Sequence, residues 1–309
     1  MHINLLNVKN KAAVFLFIIA VFIMYLDSAY SEINHYSANE TANLVLLFHF
    51  NNETAFGENS TFFWDFSSYP DNGTCSGTAC PQLNTSCPFW NCYRFDGIND
   101  NILVKNTPSL TIINLTIEAW VKPSTLNKNQ DIVSKYAANG YYLRLGSNNK
   151  YEFTGISGGT AALDQWAHVV GVSNGSNCQI YVDGNLTGTG ANCVGTTAAN
   201  LRIGSFQDGA QLFFNGTIDE VALYNRTLSA AEIKNHYLCG SHVNQSRDWR
   251  INGSCLIRSD EINISGNVVL LQGGTLLLWN GTNITAGGLN ISQNSILNAS
   301  LPFKINITP

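Results

Sequence analysis

The 309-residue chain has few charged side chains, and this scarcity excludes one class of partner. Asp, Glu, Lys and Arg make up 12% of the residues, about half of the roughly 25% that is usual in soluble domains. The formal net charge is −5, and Lys and Arg form no cluster. Because nucleic-acid binding depends on basic clusters, we expect no nucleic-acid partner. The polar surface must instead come from Asn, Ser, Thr and Gly.

Long apolar runs are also scarce, and the one that occurs lies near the N-terminus. Lys9 and Lys11 precede "AAVFLFIIAVFIMYL", and Ala29-Tyr30-Ser31 follows as a small-x-small sequence. These three features describe a secretory signal, so we predict a signal peptide over residues 1–31. An uncleaved anchor is the alternative, although 15 residues is short for a span of roughly 20. After cleavage we expect no membrane span and a secreted or cell-surface protein.

The chain lacks the C-x2-C pairs of zinc sites and the H-E-x-x-H motif. It does contain eight cysteines, and an even number in an exported chain indicates disulfides. Proximity predicts that Cys178 pairs with Cys193 and that Cys239 pairs with Cys255. The remaining four lie within 18 residues and allow three pairings, which the sequence does not separate: Cys75, Cys80, Cys87 and Cys92.

The sequence is rich in acceptor sites for N-linked glycans. The pattern Asn-x-Ser/Thr without Pro occurs 18 times, whereas random placement would give about six. We therefore predict a heavily N-glycosylated surface protein, in which bulky glycans offset the scarcity of charge. The alternative is an Asn-rich composition that carries no glycans. Representative sites are Asn72, Asn114, Asn215, Asn225 and Asn283.

Residues 44–238 show short alternating segments between polar turns, which predict β-strands. Examples are "LVLLFHF", "TIEAWV", "WAHVVGV" and "TIDEVALY". Asp183-Gly184 supplies the positive φ angles of a tight hairpin. One helix is predicted after Ser229, where Ser229 and Glu232 form a capping box. Frequent strands with so little helix indicate an antiparallel sandwich.

The order of these segments resembles the laminin G-like jelly roll of the concanavalin A-like lectin/glucanase superfamily. The matching pieces are "YRFDGINDNILV", "LTIEAWVKPS", "QWAHVVGVSNGSNCQIYVDGNLTG", "LRIGSF" and "FNGTIDEVALYNRTLSAAEI". The resemblance implies an all-β antiparallel jelly-roll sandwich over residues 44–238, with residues 32–43 as a linker. It says little about activity, because this fold hosts lectins, adhesion modules and glycosidases.

The resemblance also implies a metal site. Relatives of this fold often hold calcium at the rim of the sandwich, with Asp side chains and main-chain carbonyls as ligands. Asp96 in "FDGIND" and Asp219 in "TIDEV" stand where such acids would lie, so calcium is a candidate cofactor. Asn51, where relatives often show an acid, departs from the pattern. The alternative is that both Asp side chains accept main-chain N–H bonds at strand ends.

Glucanases of this superfamily carry the pattern E-x-D-x-x-E, which this sequence lacks. Asp219 and Glu220 are adjacent, so regular strand geometry would point them to opposite faces. They could not then flank one glycosidic bond, and we expect no enzyme activity. The aromatic residues Trp64, Trp90, Tyr141 and Tyr142 are candidates for stacking on sugars, although the sequence does not identify a ligand-binding site.

The pattern changes after Cys239, where short apolar segments recur every six to eight residues between Gly and Asn. This spacing predicts a β-solenoid-like segment over residues 239–309, and it resembles the opening turns of a right-handed parallel β-helix. With two or three turns and no polar cap, we expect a piece of a longer protein. The alternative is a small β appendage packed on the jelly roll.

Together these features predict a non-catalytic binding or adhesion module that is secreted or held at the cell surface. Its partner would be a glycan or a surface protein. One alternative is a structural, glycosylated envelope component. Another is the targeting module of a longer β-helix enzyme.

Overall fold

The computed structural model describes residues 43–87, 90–137, 139–191, 194–206, 209 and 211–239, and nine strands between Trp249 and Ile307. The predicted signal peptide and linker lie outside the described residues. None of the described helices is long and apolar enough to cross a lipid bilayer.

Two antiparallel sheets of eight strands stack face to face, which confirms the predicted all-β sandwich. Sheet A consists of β1 (Leu44–Phe48), β4 (Gln82–Cys87), β5 (Trp90–Asp96), β7 (Asn114–Pro123), β12 (Ala167–Asn174), β13 (Asn177–Val182), β14 (Asn185–Ala191) and β16 (Asn215–Tyr224). Its order is β14-β13-β12-β7-β16-β5-β4, and β1 pairs with the last residues of β16.

Sheet B covers the other side of the core. It consists of β2 (Phe62–Phe63), β3 (Gly73–Thr74), β6 (Ile102–Val104), β8 (Gln130–Ala137), β9 (Asn139–Leu145), β10 (Tyr151–Phe153), β11 (Ile156–Gly158) and β15 (Leu201–Ile203). Its order is β11-β10-β9-β8-β15-β6-β3-β2. In the part of the chain that the structure describes, three single-turn 3-10 helices lie in the connections, at Thr54–Phe56, Gly77–Ala79 and Pro108–Leu110.

Side chains along β7 point alternately to the two faces of sheet A, so both faces of the sheet carry residues that pack against other elements. Ile117, Ala119 and Val121 are fully buried in the core between the sheets. Glu118 and Trp120 alternate with them, so they lie on the outer face of sheet A. The outer face of sheet A is therefore a second packing surface, and it needs an element to cover it.

Helix α1 (Ala230–Cys239) covers part of that outer face. The predicted capping box is confirmed: the Ser229 N–H donates to Glu232 Oε2 at 2.7 Å, and the Glu232 N–H donates to Ser229 Oγ at 3.2 Å. Ile233 is buried in a small apolar cluster with Val170 and Val172 of β12. The helix is thus fixed in place by its cap and by an apolar contact with the sheet.

The predicted hairpin at Asp183-Gly184 is also confirmed. Val182 and Asn185 are paired, and the two turn residues have φ angles of 51° and 71°. Positive φ at both central positions is what a two-residue turn between twisted strands requires. The turn sets the register of β13 with β14, apart from a shift between Ile180 and Tyr181.

Two of the predicted disulfides have defined partners in the described residues. Cys75 bonds to Cys80 with the Cα atoms 5.1 Å apart, and Cys87 bonds to Cys92 with the Cα atoms 6.1 Å apart. Cys178 is disulfide-bonded; its predicted partner Cys193 lies outside the described residues. The side chains of the predicted pair Cys239 and Cys255 also lie outside the described part of the chain.

Nine short strands follow the sandwich and pair in parallel as three three-stranded sheets. Val268 pairs with Leu289, Thr275 with Ile296, and Asn283 with Lys304, so each partner lies 21 residues further along the chain. The strands are β17 (Trp249–Ile251), β18 (Ser254–Ile257), β19 (Glu261–Asn263), β20 (Asn267–Leu270), β21 (Thr275–Leu278), β22 (Asn283–Ala286), β23 (Gly288–Ile291), β24 (Ile296–Ala299) and β25 (Lys304–Ile307).

Candidate functional site

A cleft of about 690 Å³ opens on the outer face of sheet A, beside the start of α1. Strands β12, β13 and β14 form one side of the cleft, and the turn that leads into the helix forms the other. This volume lies within the range of roughly 300–1,000 Å³ that is usual for ligand sites. Of the helix residues, only Ala230 is among the described residues that line the cleft.

The floor of the cleft is apolar. Val172, Tyr181 and Leu228 line it, and each is 4% exposed, so each is held in place by packing. The Tyr181 hydroxyl donates to Gln179 Oε1 at 3.1 Å. Burial raises the pKa of Tyr181. The floor therefore offers a small, fixed apolar surface with one oriented polar group.

The walls of the cleft carry amides and hydroxyls. Asn177, Gln179, Thr189 and Ser229 line them, and among the described lining residues none is charged. Within the described residues no acceptor takes the hydrogens of Gln179 Nε2, so this group can donate to a ligand. An uncharged polar wall above an apolar floor suits a neutral polar ligand, because it offers no counter-charge to an ion.

Asn174 forms the rim of this cleft at the turn between β12 and β13. Its Oδ1 accepts the N–H of Ser176 at 3.1 Å and the N–H of Asn177 at 2.7 Å. The side chain is therefore fixed by the turn and stays exposed to solvent.

Sequence reasoning missed the residues of this cleft. Amide and hydroxyl side chains are common along the whole chain, so nothing in the local pattern distinguishes Gln179 or Thr189 from a surface residue. Their shared feature is the register of β13 and β14, which places Gln179 opposite Thr189. The predicted Asp183-Gly184 hairpin was the available signal, because it sets that register to within a residue or two.

Asp96, the first candidate calcium ligand, lies exposed at the end of β5. Its Oδ1 accepts main-chain N–H groups of Ile98, Asn99 and Asp100. Burial would raise the pKa of Asp96, but these hydrogen bonds outweigh it and lower the pKa. The observed role of this carboxylate is therefore to hold the turn after β5.

Asp219, the second candidate, is fully buried. Burial raises the pKa of Asp219 well above its usual range, and the neighbouring Glu220 raises it further. Oδ1 accepts the Glu220 N–H at 3.0 Å, whereas Oδ2 has no partner among the described residues.

The structure does not bring Asp96 and Asp219 together. Asp96 pairs with Asn215, which lies four residues before Asp219, or about 13 Å along the strand. Among the described residues, no group of three or more His, Cys, Asp or Glu side chains could hold a metal ion. Because calcium requires six to eight oxygen ligands, these residues do not fit one shared calcium site. A site at either residue alone stays a prediction.

Glu220 shows that regular alternation does not hold in this strand. The register of β16 with β7 shifts between Asp219 and Ala222, and Glu220 has a φ of 47°, as expected of a β-bulge. Glu220 is 2% exposed and binds His49 Nδ1 at 3.0 Å. Both members of the Asp-Glu pair are buried, so neither can reach a glycosidic bond.

A buried polar cluster lies beneath α1. The Glu118 carboxylate is 3.2 Å from His168 Nε2, 3.1 Å from His236 Nδ1, and accepts the Tyr224 hydroxyl at 3.2 Å. All four side chains are buried. Because His236 lies on the helix and the others lie on sheet A, the cluster joins the two elements. Its lack of solvent access indicates a structural role.

The four aromatic residues predicted as sugar-stacking candidates have different environments. Tyr141 is not exposed: it is 1% exposed, and its hydroxyl donates to the Leu110 carbonyl at 2.9 Å. Trp64 is half-buried between Phe rings. The Arg144 guanidinium lies 4.2 Å from the centre of the Tyr142 ring and covers one face of it. The Trp90 side chain lies outside the described residues.

The sequence from Gly155 to Gly159 reads G-x-S-x-G, a spacing found at the nucleophile of many hydrolases. In those enzymes the serine lies on a sharp turn between a strand and a helix. Here Ser157 lies in β11, which pairs with β10 in an edge hairpin. The structural context of a nucleophile is therefore lacking at this position.

The predicted glycan acceptors on the sandwich lie at several positions. Asn114 is exposed at the start of β7, whereas Asn72, Asn215 and Asn225 are half-buried. Asn114 pairs directly with Asn174 of β12, which also begins an Asn-x-Ser sequence. Glycosylation at these positions stays a prediction.

Comparison with known proteins supports the fold. Residues 96–234, less than half of the chain, match a family model for the concanavalin A-like lectin/glucanases superfamily. No curated protein matches the sequence.

Two solved structures are similar to this chain. One is the binding domain of Paraclostridial Mosquitocidal Protein 1, at 16% identity and a TM-score of 0.51, covering 68% of this chain and 55% of that one. The other is Trypanosoma rangeli sialidase in complex with the inhibitor DANA, at 17% identity and a TM-score of 0.51, covering 72% of this chain and 39% of that one.

This chain thus spans about half, or less, of the length of these two structures. At such identities the likeness concerns the fold alone. Together with the two antiparallel sheets, the family match supports a laminin G-like, concanavalin A-like jelly-roll domain.

Proposed function

We propose that this protein is a non-catalytic binding module whose ligand is a neutral glycan held in the cleft beside α1. The observation that carries this proposal is the lining of the cleft. Val172, Tyr181 and Leu228 supply an apolar floor, and a pyranose ring has an apolar C–H face that fits such a surface. The walls supply amides and hydroxyls that can hydrogen-bond to sugar hydroxyls.

Charge supports a neutral ligand over an anionic one. No charged side chain is among the described residues that line the cleft, and the formal net charge of the chain is −5. Binding of a sialic acid or a sulfated sugar would place a desolvated carboxylate or sulfate against partners without charge, which costs free energy. The proposal therefore covers neutral sugars, with oxygen atoms as the groups that are recognised.

The protein works outside the cell in this proposal. Residues 1–31 act as a signal peptide, and the disulfides Cys75–Cys80 and Cys87–Cys92 suit an oxidising compartment. Residues 44–238 form the binding head. Residues 239–309 form the first turns of a β-solenoid stem; parallel pairing of strands 21 residues apart supports this part of the proposal.

A glycan array tests the function. The full mature chain, produced in a host that adds no N-glycans, is applied to an array of neutral and anionic oligosaccharides. We expect binding to neutral glycans, and a loss of at least tenfold for Gln179→Ala, which removes one wall amide. Gln82→Ala is the matched control, because Gln82 is exposed on β4 at the opposite edge of the same sheet.

Three outcomes would contradict the proposal. The protein could bind no neutral glycan on the array, or it could bind only anionic glycans. Alternatively, the Gln179→Ala variant could bind neutral glycans as well as the Gln82→Ala variant does. The first outcome would favour the structural envelope role, in which the module has no discrete ligand.

A further inference from the structure

We propose that Asn174 carries an N-linked glycan which covers the cleft and competes with external ligands for it. This inference rests in part on the proposed function, because competition requires that the cleft binds sugar. The covering of the cleft does not require it. Asn174, Gly175 and Ser176 form an acceptor sequence in the turn between β12 and β13, and Asn174 is one of the residues that line the cleft.

The turn positions Asn174 for modification. Its Oδ1 is engaged by two main-chain N–H groups, from Ser176 and Asn177, and the turn depends on Gly175, which has a φ of 83°. With Oδ1 directed into the turn, Nδ2 is directed away from it. Nδ2 is the atom to which an N-linked sugar is attached, and among the described residues nothing accepts its hydrogens.

Three other acceptor asparagines of the sandwich use Nδ2 differently from Asn174. In each of three cases Nδ2 donates to a main-chain carbonyl, at 2.9 to 3.2 Å: Asn59, Asn185 and Asn215. Asn225 is half-buried, and its buried Oδ1 has no partner in the described part of the chain. Asn174 combines an exposed position, a fixed side chain and a free Nδ2 with a place on the rim of the cleft.

A sugar chain that begins at this rim has two consequences. It shields Asn177 and Thr189 from large molecules, because a glycan is bulky. It also presents neutral sugar at a millimolar effective concentration, as short flexible tethers do. A cleft that binds free neutral sugars weakly would then be largely occupied by its own glycan, and external ligands would compete poorly.

Ser176 provides the matched variants. Ser176→Ala removes the hydroxyl that the acceptor sequence requires but keeps the main-chain N–H that Asn174 Oδ1 accepts. Ser176→Thr keeps an acceptor sequence. The full chain and both variants are produced in a host that adds N-glycans. Peptide mass mapping before and after enzymatic deglycosylation should find a glycan at Asn174 in the wild type and in Ser176→Thr, and none in Ser176→Ala.

The affinity of each protein for a free oligosaccharide then measures how strongly the glycan at Asn174 competes for the cleft. The probe is the neutral oligosaccharide that binds best on the array to unglycosylated protein. We expect Ser176→Ala to bind it at least tenfold more tightly than the wild type and Ser176→Thr. Equal affinities of the wild type, Ser176→Ala and Ser176→Thr, all produced in the host that adds N-glycans, would contradict the competition. An unmodified Asn174 in the wild type would overturn the whole inference.

The rate of thiol labelling measures how far the glycan shields the cleft, and no ligand is needed. This experiment therefore tests the covering of the cleft independently of the proposed function. Thr189→Cys places a thiol on the wall of the cleft, and Gln82→Cys places one at the far edge of sheet A. A maleimide joined to a large polyethylene glycol should label Thr189→Cys at least fivefold more slowly with Ser176 present than with Ser176→Ala. Gln82→Cys should show no difference. Equal labelling of Thr189→Cys in both backgrounds would overturn the covering, even if glycan binding had failed.

Discussion

At the scale of single residues, Asp219 shows how burial changes the chemistry of a side chain. The pKa of Asp219 is raised above its ordinary value of 3.8, first by burial and then by Glu220. A raised pKa in the folded state means that the folded protein binds the proton more tightly than the unfolded chain does. The resulting stabilisation is fully present below pH 3.8 and is lost as the pH rises towards the raised pKa.

Asp219→Asn should therefore gain stability relative to the wild type as the pH rises. The amide stays neutral at every pH, so the variant avoids the cost of a buried charge or of a bound proton. We expect the difference in free energy of unfolding, variant minus wild type, to be larger at pH 8 than at pH 4. Urea titrations at both pH values measure this difference.

The exposed Gln82 serves as the control for that experiment. Gln82→Ala removes no titratable group and should show no such change with pH. A difference for Asp219→Asn that is equal at pH 4 and pH 8 would contradict the buried, proton-binding role.

The predicted metal ligand is tested by repeating the urea titrations of the wild type and of Asp219→Asn with calcium and with EDTA. A calcium site at Asp219 requires that EDTA lowers the stability of the wild type and leaves that of the variant unchanged.

Glu118 is the second residue for which we predict a large effect on stability. Glu118→Ala would leave His168, His236 and Tyr224 without their shared acceptor in a buried site. Leaving a buried hydrogen-bonding group unpaired costs about 1–3 kcal/mol, and we expect a loss of at least that size in urea unfolding. Glu152→Ala, on the partly exposed outer face of sheet B, should cost less than about 0.5 kcal/mol. Similar losses for the two variants would refute the structural role of the cluster.

At the scale of elements, α1 depends on its cap as well as on packing. Ser229→Ala removes the acceptor for the Glu232 N–H, and such changes cost about 1 kcal/mol. Ser229→Thr keeps the hydroxyl and should cost a few tenths of a kcal/mol at most. Denaturant unfolding of both variants measures the difference. A Thr variant as unstable as the Ala variant would show that the hydroxyl is not what stabilises the helix start.

Local signals predicted some elements well and failed where a distant strand decided the geometry. The Asp183-Gly184 hairpin and the Ser229–Glu232 cap were predicted correctly, because each depends on neighbours within four residues. The β-bulge between Asp219 and Ala222 was not predicted. It depends on how β16 meets β7 on one edge and both β1 and β5 on the other, and such pairing is invisible in a local pattern.

The same limit explains the candidate site. The side chains of Gln179, Thr189 and Leu228 meet only because β13, β14 and the turn before α1 share one corner of the sandwich. Tyr141 was misplaced for a related reason: its strand alternates, and the sequence did not show which of Tyr141 and Tyr142 faces the core. Ordered motifs predicted the sandwich, whereas the cleft required the three-dimensional structure.

At the scale of the whole molecule, the low content of charged residues and the uncharged lining of the cleft both favour a neutral ligand. A chain with 12% charged residues has little with which to select ions, and the described lining of its cleft is neutral. The most direct test is calorimetric titration of the best neutral oligosaccharide into the full unglycosylated chain and into Thr189→Tyr, whose ring would obstruct one wall of the cleft. We expect saturable binding without release of reducing sugar, and at least tenfold weaker binding by Thr189→Tyr, or about 1.4 kcal/mol. Equal binding by both proteins, or hydrolysis of the sugar, would contradict the account.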